Sequence, residues 1–397
     1  MDIRKTHELY KRLAFTILIV LLYLIGRSIP LFGIETDLLP KTDAQSIMNI
    51  MFSGDRYQIT IMALGIMPYI NASLIVQVVT ALRSQEARAK ISKQKQDQWM
   101  FIVALFIAVF MAFVQSQSLN FKAGSLNLNI LRMIAALEMF CGAMFIFFLC
   151  DRNEKFGIGL SMPIILVNII TTLSGNLSRN HFLRYPVLFI ICGLIILITL
   201  YFENSIIKIP LQRVSIHNIH ADKNYMAYKR NPVGIMPVMF ASSAFLLPQY
   251  LFRFLHFLFP KNKTILLINR NMTLNATVGI VIYLILIFLL SLLFSFIMLN
   301  PNESARQLRK NGDSIIGIYA GRKTRNYLVF LVLNLSIKSG LLQCACMAIP
   351  LIMSYFGRIP HELAMLPSTA MILVSIISSL VQEIMTYFRY DAYRFFL

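Results

Sequence analysis

Acidic side chains are scarce: 18 Asp and Glu stand against 37 Lys and Arg in 397 residues. Charge of either sign is thin as well, at 14% of the chain, where a soluble domain carries about 25%. With 57% hydrophobic residues, too little polar surface remains to solvate a folded soluble protein, and disorder is excluded on the same ground. Five cysteines (Cys141, Cys150, Cys192, Cys344 and Cys346) contain no C-x-x-C pair. The composition excludes a disulfide scaffold, and all five lie in apolar windows or at their ends, which leaves them as reduced packing residues. No phosphate-binding G-x-x-x-x-G-K-S/T loop is present, and the six histidines (His7, His181, His217, His220, His256, His361) are scattered. The chain therefore has no common route to ATP hydrolysis and no catalytic constellation or cofactor site; an enzyme is not expected.

What is abundant is uncharged, apolar sequence. A bilayer's hydrocarbon core of roughly 30 Å needs about 20 apolar residues per helical span. Ten windows meet that need: Leu13–Gly26 running on past Arg27 to Ile34, Tyr57–Leu82, Gln98–Phe121, Met133–Cys150, Phe156–Ser178, Tyr185–Phe202, Asn231–Phe252, Asn271–Asn302, Asn326–Gly357 and Leu363–Gln382. None alternates with period two, so helices rather than a barrel are expected. With the N-terminus placed inside, 24 of the 37 basic residues fall on inside segments and 10 on outside ones. This positive-inside bias puts both termini in the cytoplasm. The basic stretch before Leu13 resembles a signal-peptide n-region, but the apolar run is long and lacks a small-x-small cleavage site, so it counts as span one.

One string recurs. Gly65-Ile66-Met67-Pro68 in span two is matched by Gly234-Ile235-Met236-Pro237 in span seven. These are the second spans of two five-span halves, divided near residue 180, which must enter the membrane from opposite sides. Proline removes a donor and glycine permits close approach, so both helices should be broken or bent there. Interrupted helices at corresponding positions point to a translocation site. Asn71, Ser73 and Gln77 follow Pro68, and Ser242 and Ser243 follow Pro237; such side chains suit a seam that opens and recloses. Lys338 is the only clear mid-span charge, with no acid within a turn or two of it in span nine. A coupled transporter would need such a partner. The centre offers Ile66, Ile70, Ile164 and Met236 instead, and Ile66 and Ile70 share a helix face. An aliphatic ring closes around a polymer and blocks ions by dewetting.

The same residues carry a family resemblance. The run Ile47–Gly54, followed by Ala63–Ser73, resembles the plug and second helix of SecY, the channel subunit of the bacterial export translocon. Gly26–Pro30, Phe156–Ser161, Asn231–Ser243 and the pattern Asn300-Pro301, Ala305, Leu308, Gly312, Gly317, Gly321, Thr324, Tyr327-Leu328 are similar to further SecY motifs along nearly the whole chain. The resemblance implies an all-α clamshell of two inverted five-helix halves, residues 1–180 and 181–397, with a lateral gate between helices two and seven. It implies a plug at 44–55 including Met48, Met51, Phe52 and Ser53, and a pore ring of Ile66, Ile70, Ile164 and Met236. Where SecY usually has another isoleucine in helix five, Asn168 stands here; the helix-ten contribution does not align.

The cytoplasmic loops at 203–231 and 301–326 depart from the usual pattern. Ile315-Ile316-Gly317-Ile318-Tyr319-Ala320-Gly321 replaces the family's I-P-G-I-R-P-G, with Tyr319 at the arginine associated with the motor ATPase SecA. The segment Glu203–Lys208 is thinned of basic residues. These features resemble the accessory SecY of certain Gram-positive bacteria, which works with an accessory SecA on serine-rich glycosylated adhesins. Implied partners are that motor, small SecE/SecG-type subunits, unfolded preprotein and lipid. Arg306, Arg309, Lys310, Arg322, Lys323 and Arg325 make the loop 301–326 the docking candidate, able to attract an acidic protein surface, ribosomal RNA or anionic lipid. A housekeeping SecY, a ten-helix secondary transporter and a passive scaffold remain as alternatives.

Overall fold

The computed structural model describes residues 3–34, 59–83, 91–117, 119, 121, 127–179, 186–213, 225–259, 271–274, 276–319, 321–360 and 363–392. The plug candidates Met48, Met51, Phe52 and Ser53 lie outside the described residues.

In chain order the elements are α1 (Ile3–Arg27), α2 (Met67–Leu82), α3 (Lys93–Gln117), α4 (Leu128–Phe156), α5 (Met162–Arg179), α6 (Pro186–Asn204), β1 (Ile206–Arg213), β2 (Tyr225–Lys229), α7 (Met236–Leu258), α8 (Thr277–Leu299), α9 (Pro301–Asn311), β3 (Asp313–Ile315), α10 (Arg322–Tyr355) and α11 (Leu366–Ala392). Among the described residues, eight helices are long and apolar enough to cross a bilayer, and α2 and α5 carry shorter apolar runs. Together they are the ten expected spans. Helix α9 is polar and lies outside them.

Span two is not helical throughout. Its helix starts at Met67, and 16 residues at 1.5 Å each reach only about 24 Å, short of a bilayer core. The cause is local. Gly65 has φ +54°, which a residue with a Cβ adopts only with strain, and Pro68 sits in the first turn, where its missing N–H costs nothing. Span seven repeats this, with Gly234 at φ +65° and the helix starting at Met236 rather than Asn231. Ile66 and Ile235 even share backbone angles, φ −86°, ψ −1° and φ −88°, ψ −6°. The expected break is therefore a helix start and not a kink. The backbone before α2 is held by Leu31 N–H to the Ile59 carbonyl at 2.8 Å and Ile61 N–H to the Ile29 carbonyl at 3.1 Å. Helix α4 passes so close that a Cβ on Gly142 would stand 2.1 Å from the Ile61 carbonyl oxygen.

Helices α1 to α5 pack on one another, and α6, α7, α8, α10 and α11 do likewise. The main contacts between these groups are α5 with α11 on one side and α2 and α3 with α7 on the other. That is a clamshell whose two halves meet in two places. A continuous apolar core runs through both halves, from Ile19 and Tyr23 to Ile372 and Ile376.

The all-helical expectation holds for the spans, and the loops add a small sheet. Strands β2-β1-β3 form one antiparallel sheet, with Ile207 opposite Tyr228 and Gln212 opposite Ser314. The segments Ile206–Arg213, Tyr225–Lys229 and Pro301–Ile315 thereby become one folded knob, with a core of Ile209, Tyr228, Ala305, Leu308, Ile315, Leu328 and Leu335. Burial in that core pushes the Tyr228 phenol above its ordinary pKa.

Candidate functional site

The seam side of α7 carries Ser243, whose hydroxyl donates to Asn71 Oδ1 on α2 at 2.7 Å. Both groups are buried, and Asn71 Nδ2 has no hydrogen-bond partner among the described residues. Further along, Tyr250 OH donates to Gln115 Oε1 of α3 at a long 3.5 Å. Phe110 and Phe113 of α3 meet Phe254 and Phe257 of α7 edge-on, with centroids 5.5 to 6.2 Å apart. Ser242, also expected at the seam, turns the other way: its hydroxyl pairs with Tyr283 OH of α8 at 2.8 Å. Successive helix residues diverge by about 100°, so one serine of the pair faces each half.

Helix α7 is braced differently toward its own half. Gln343 of α10 donates to the Gly234 carbonyl at 2.7 Å, and Gln249 donates to the Met272 carbonyl at 2.9 Å. A net hydrogen bond is worth about 0.5–1.5 kcal/mol and an aromatic pair about as much. The polar and aromatic contacts across the seam thus amount to a few kcal/mol, and α7 packs more extensively on α8 than on α2.

Beside the seam lies a cavity of about 510 Å³. Ile70, Ser73 and Gln77 of α2 line it, with Met236 and Met239 of α7, Ile165 of α5, and Ser375, Ile376 and Ser379 of α11. Lys93, Asp97, Glu154 and Lys229 line it as well. Of the four candidate ring residues, Ile70 and Met236 face this cavity, while Ile66 and Ile164 are fully buried beside it. Ile165, next to Ile164, and Ile376 of α11 also line the cavity, although nothing in the sequence marks either. Asn168 does not face the cavity. Its Oδ1 accepts from Tyr23 OH of α1 at 2.8 Å in a fully buried pair, so the helix-five asparagine belongs to α1–α5 packing.

Two polar knots hold the surrounding turns. Thr16 of α1 donates to Asn153 Oδ1 at 3.1 Å, and Asn153 Nδ2 donates to the carbonyls of Ile158 and Leu160. This fixes the turn into α5, where Leu160 adopts φ +50°, a left-handed conformation that costs a leucine energy. Glu203, buried at the end of α6, accepts from Ser375 of α11. The same carboxylate oxygen stands 3.2 Å from where a Cβ on Gly234 would be.

A SecY family model matches residues 60–381. The chain belongs to the SecY family. It is a subunit of a Sec-type protein-conducting channel, not an enzyme, and a multi-pass membrane protein. It is 27% identical to the accessory Sec system protein translocase subunit SecY2 of Leuconostoc gelidum subsp. gasicomitatum, over 96% of this chain and 95% of that one. It is 24% identical to the SecY2 of Streptococcus sanguinis over 97% of each, and 25% identical to the protein translocase subunit SecY of Staphylococcus aureus over 94% and 93%. Among solved structures, one described as a protein conducting channel superposes with TM-score 0.67 at 15% identity, covering 96% of this chain and 92% of that one. Sec61 in a canine ribosome–channel complex gives 0.61 at 15% identity, with the same coverage.

Within the SecY fold, the docking candidates sit on the knob. Arg306, Arg309 and Lys310 lie on the exposed face of α9, whose buried face carries Ala305 and Leu308. Tyr319 is 78% exposed, and Lys323 Nζ stands 5.0 Å from its ring centroid. Arg322 is exposed as well, while Arg325 Nε donates to Asn302 Oδ1 at 2.8 Å and so ties α10 to α9. Pro68 and Pro237 are buried at the starts of their helices.

Proposed function

We propose that this chain is the channel of an accessory Sec-type export system in a bacterial cell membrane, with both termini cytoplasmic. A SecA-type motor, in its accessory form, drives unfolded preprotein, of the serine-rich glycosylated adhesin class, through the pore. Small SecE/SecG-type subunits or accessory equivalents complete the complex. The halves divide at residue 180, and residues 44–55 form the plug. Ile66, Ile70, Ile164 and Met236 form the ring, and α2 and α7 form the gate.

The observation that carries the channel reading is the thinly bonded α2–α7 seam flanking an apolar-sided cavity. About ten apolar residues of a signal sequence gain roughly 0.3–0.6 kcal/mol each on entering lipid. The total, about 3–6 kcal/mol, matches the few kcal/mol holding the seam and is enough to shift its equilibrium. Hydrophilic chain gains nothing from lipid and stays in the cavity. Support for the accessory reading comes from the SecY2 relatives and from exposed Tyr319 in place of the family's arginine. The knob, with exposed cations on α9 and α10, is the motor's dock. Purifying the complex in mild detergent and identifying the co-purifying ATPase tests this. An accessory SecA at stoichiometric level is expected; the housekeeping SecA at that level overturns the accessory reading.

A further inference from the structure

Lys338 lies on the exposed face of α10, and its depth is fixed by the neighbouring helix. Ser291 of α8 donates to the Ser336 carbonyl at 3.5 Å, a Cβ on Gly340 would lie 3.1 Å from Ser291 Oγ, and Cys344 Sγ donates to the Leu284 carbonyl at 3.3 Å. Lys338 is therefore level with Ser291, near the middle of the apolar helix Thr277–Leu299. Eight residues separate that level from Leu299, about 12 Å of helix. A lysine stem of roughly 6 Å snorkels only half that distance. An ammonium left at this depth against lipid is among the costliest placements a side chain can have.

The surrounding surface suits a second helix. Asn334 is exposed one turn before Lys338, and Leu341 and Ala345 continue the same face. Asn334 can hydrogen-bond across an interface, and Ala345 lets two backbones approach. A second copy of this chain is a poor occupant, because the carboxylates of its described spans either stand near the span ends, as Asp97, Asp151 and Glu154 do, or are engaged, as Glu383 is by Gly159 N–H at 3.3 Å. Glu138 accepts from Phe32 N–H at 3.1 Å, and Glu203 is buried against Ser375. Charge complementarity calls for an acid from a different protein.

We propose that the Asn334–Lys338–Ala345 face of α10 seats a membrane-spanning helix of a small partner subunit that presents an Asp or Glu at mid-bilayer. The inference rests on the reading of this chain as a channel with small membrane subunits. The test places a photo-crosslinking residue at Leu341 in the full chain in native membranes, with adducts mapped by mass spectrometry. Expected is an adduct to a spanning helix carrying an acid at the facing level. Lys338→Glu and Lys338→Met should each lower the adduct at least tenfold, with the channel's own abundance unchanged, and Lys338→Arg should retain it. Lys338→Glu should recover when the captured acid is changed to lysine. Adducts to lipid alone, to a helix without an acid, or of unchanged yield in Lys338→Met overturn the proposal. Export failing while the adduct persists counts against the channel reading and not against this interface.

Discussion

Ser243 of α7 donates a 2.7 Å hydrogen bond to Asn71 of α2, joining two residues 172 positions apart across the seam between the halves. It is the shortest polar link among the seam contacts described above, and it sits where the proposed gate would part. Ser243→Ala removes the donor and leaves Asn71 Oδ1 buried without it, at a cost of about 1–3 kcal/mol to the closed seam. Precursors with weakened signal sequences should then be exported about 5- to 150-fold better relative to wild-type channel. Export assays with graded signal-sequence defects check this; unchanged discrimination would remove the bond from the gate.

The ring proposal makes a separate prediction about ions. Replacing Ile66 and Ile70 with Gly or Ser removes the aliphatic bulk that excludes water. Conductance of resting channels in planar bilayers should rise. If it does not change, these two residues are packing residues beside the cavity and not its seal.

The knob predicts a split between affinity and stability. Charge reversal at Arg309, Lys310 and Lys323, all exposed, should weaken motor binding and flatten its salt dependence, with thermal stability unchanged. Leu308→Ala, in the knob's core, should cost about 2–5 kcal/mol of local stability and weaken binding by unfolding the dock. Equilibrium binding of purified motor at low and high salt, with a thermal melt of each variant, separates the two.

The knot around Asn153 predicts a stability defect. Asn153→Ala strips the Ile158 and Leu160 carbonyls of their donor and leaves Leu160's left-handed turn unsupported. A loss of about 1–3 kcal/mol is expected, read as a lower unfolding temperature in detergent. A melt matching wild type would mean that the turn holds itself.

The ten spans were legible because a bilayer imposes one demand on every one of them, a long run without charge. The repeated Gly-Ile-Met-Pro string also pointed to the right places, since a left-handed glycine and a first-turn proline act locally. The length of α2 was not legible: apolarity runs on from Tyr57 to Leu82, and only backbone angles show that helix begins at Met67. Pairings between distant residues were hidden too. Nothing near Asn168 marks Tyr23 as its partner, and nothing in the adjacent Ser242-Ser243 says which serine meets Asn71. The sheet escaped because β1 and β3 pair across about a hundred residues of sequence and each reads singly as part of a loop. The cavity's Ile165 and Ile376 looked like any other span isoleucine.

In the proposed channel, chain passes only when the α2–α7 seam parts. A channel carrying Asn71→Cys and Ser243→Cys, with its native cysteines replaced, tests it in proteoliposomes with motor and precursor. Oxidation should abolish export, and reductant should restore it to the level of the unoxidised double variant. Full export through the quantitatively oxidised channel would contradict the account.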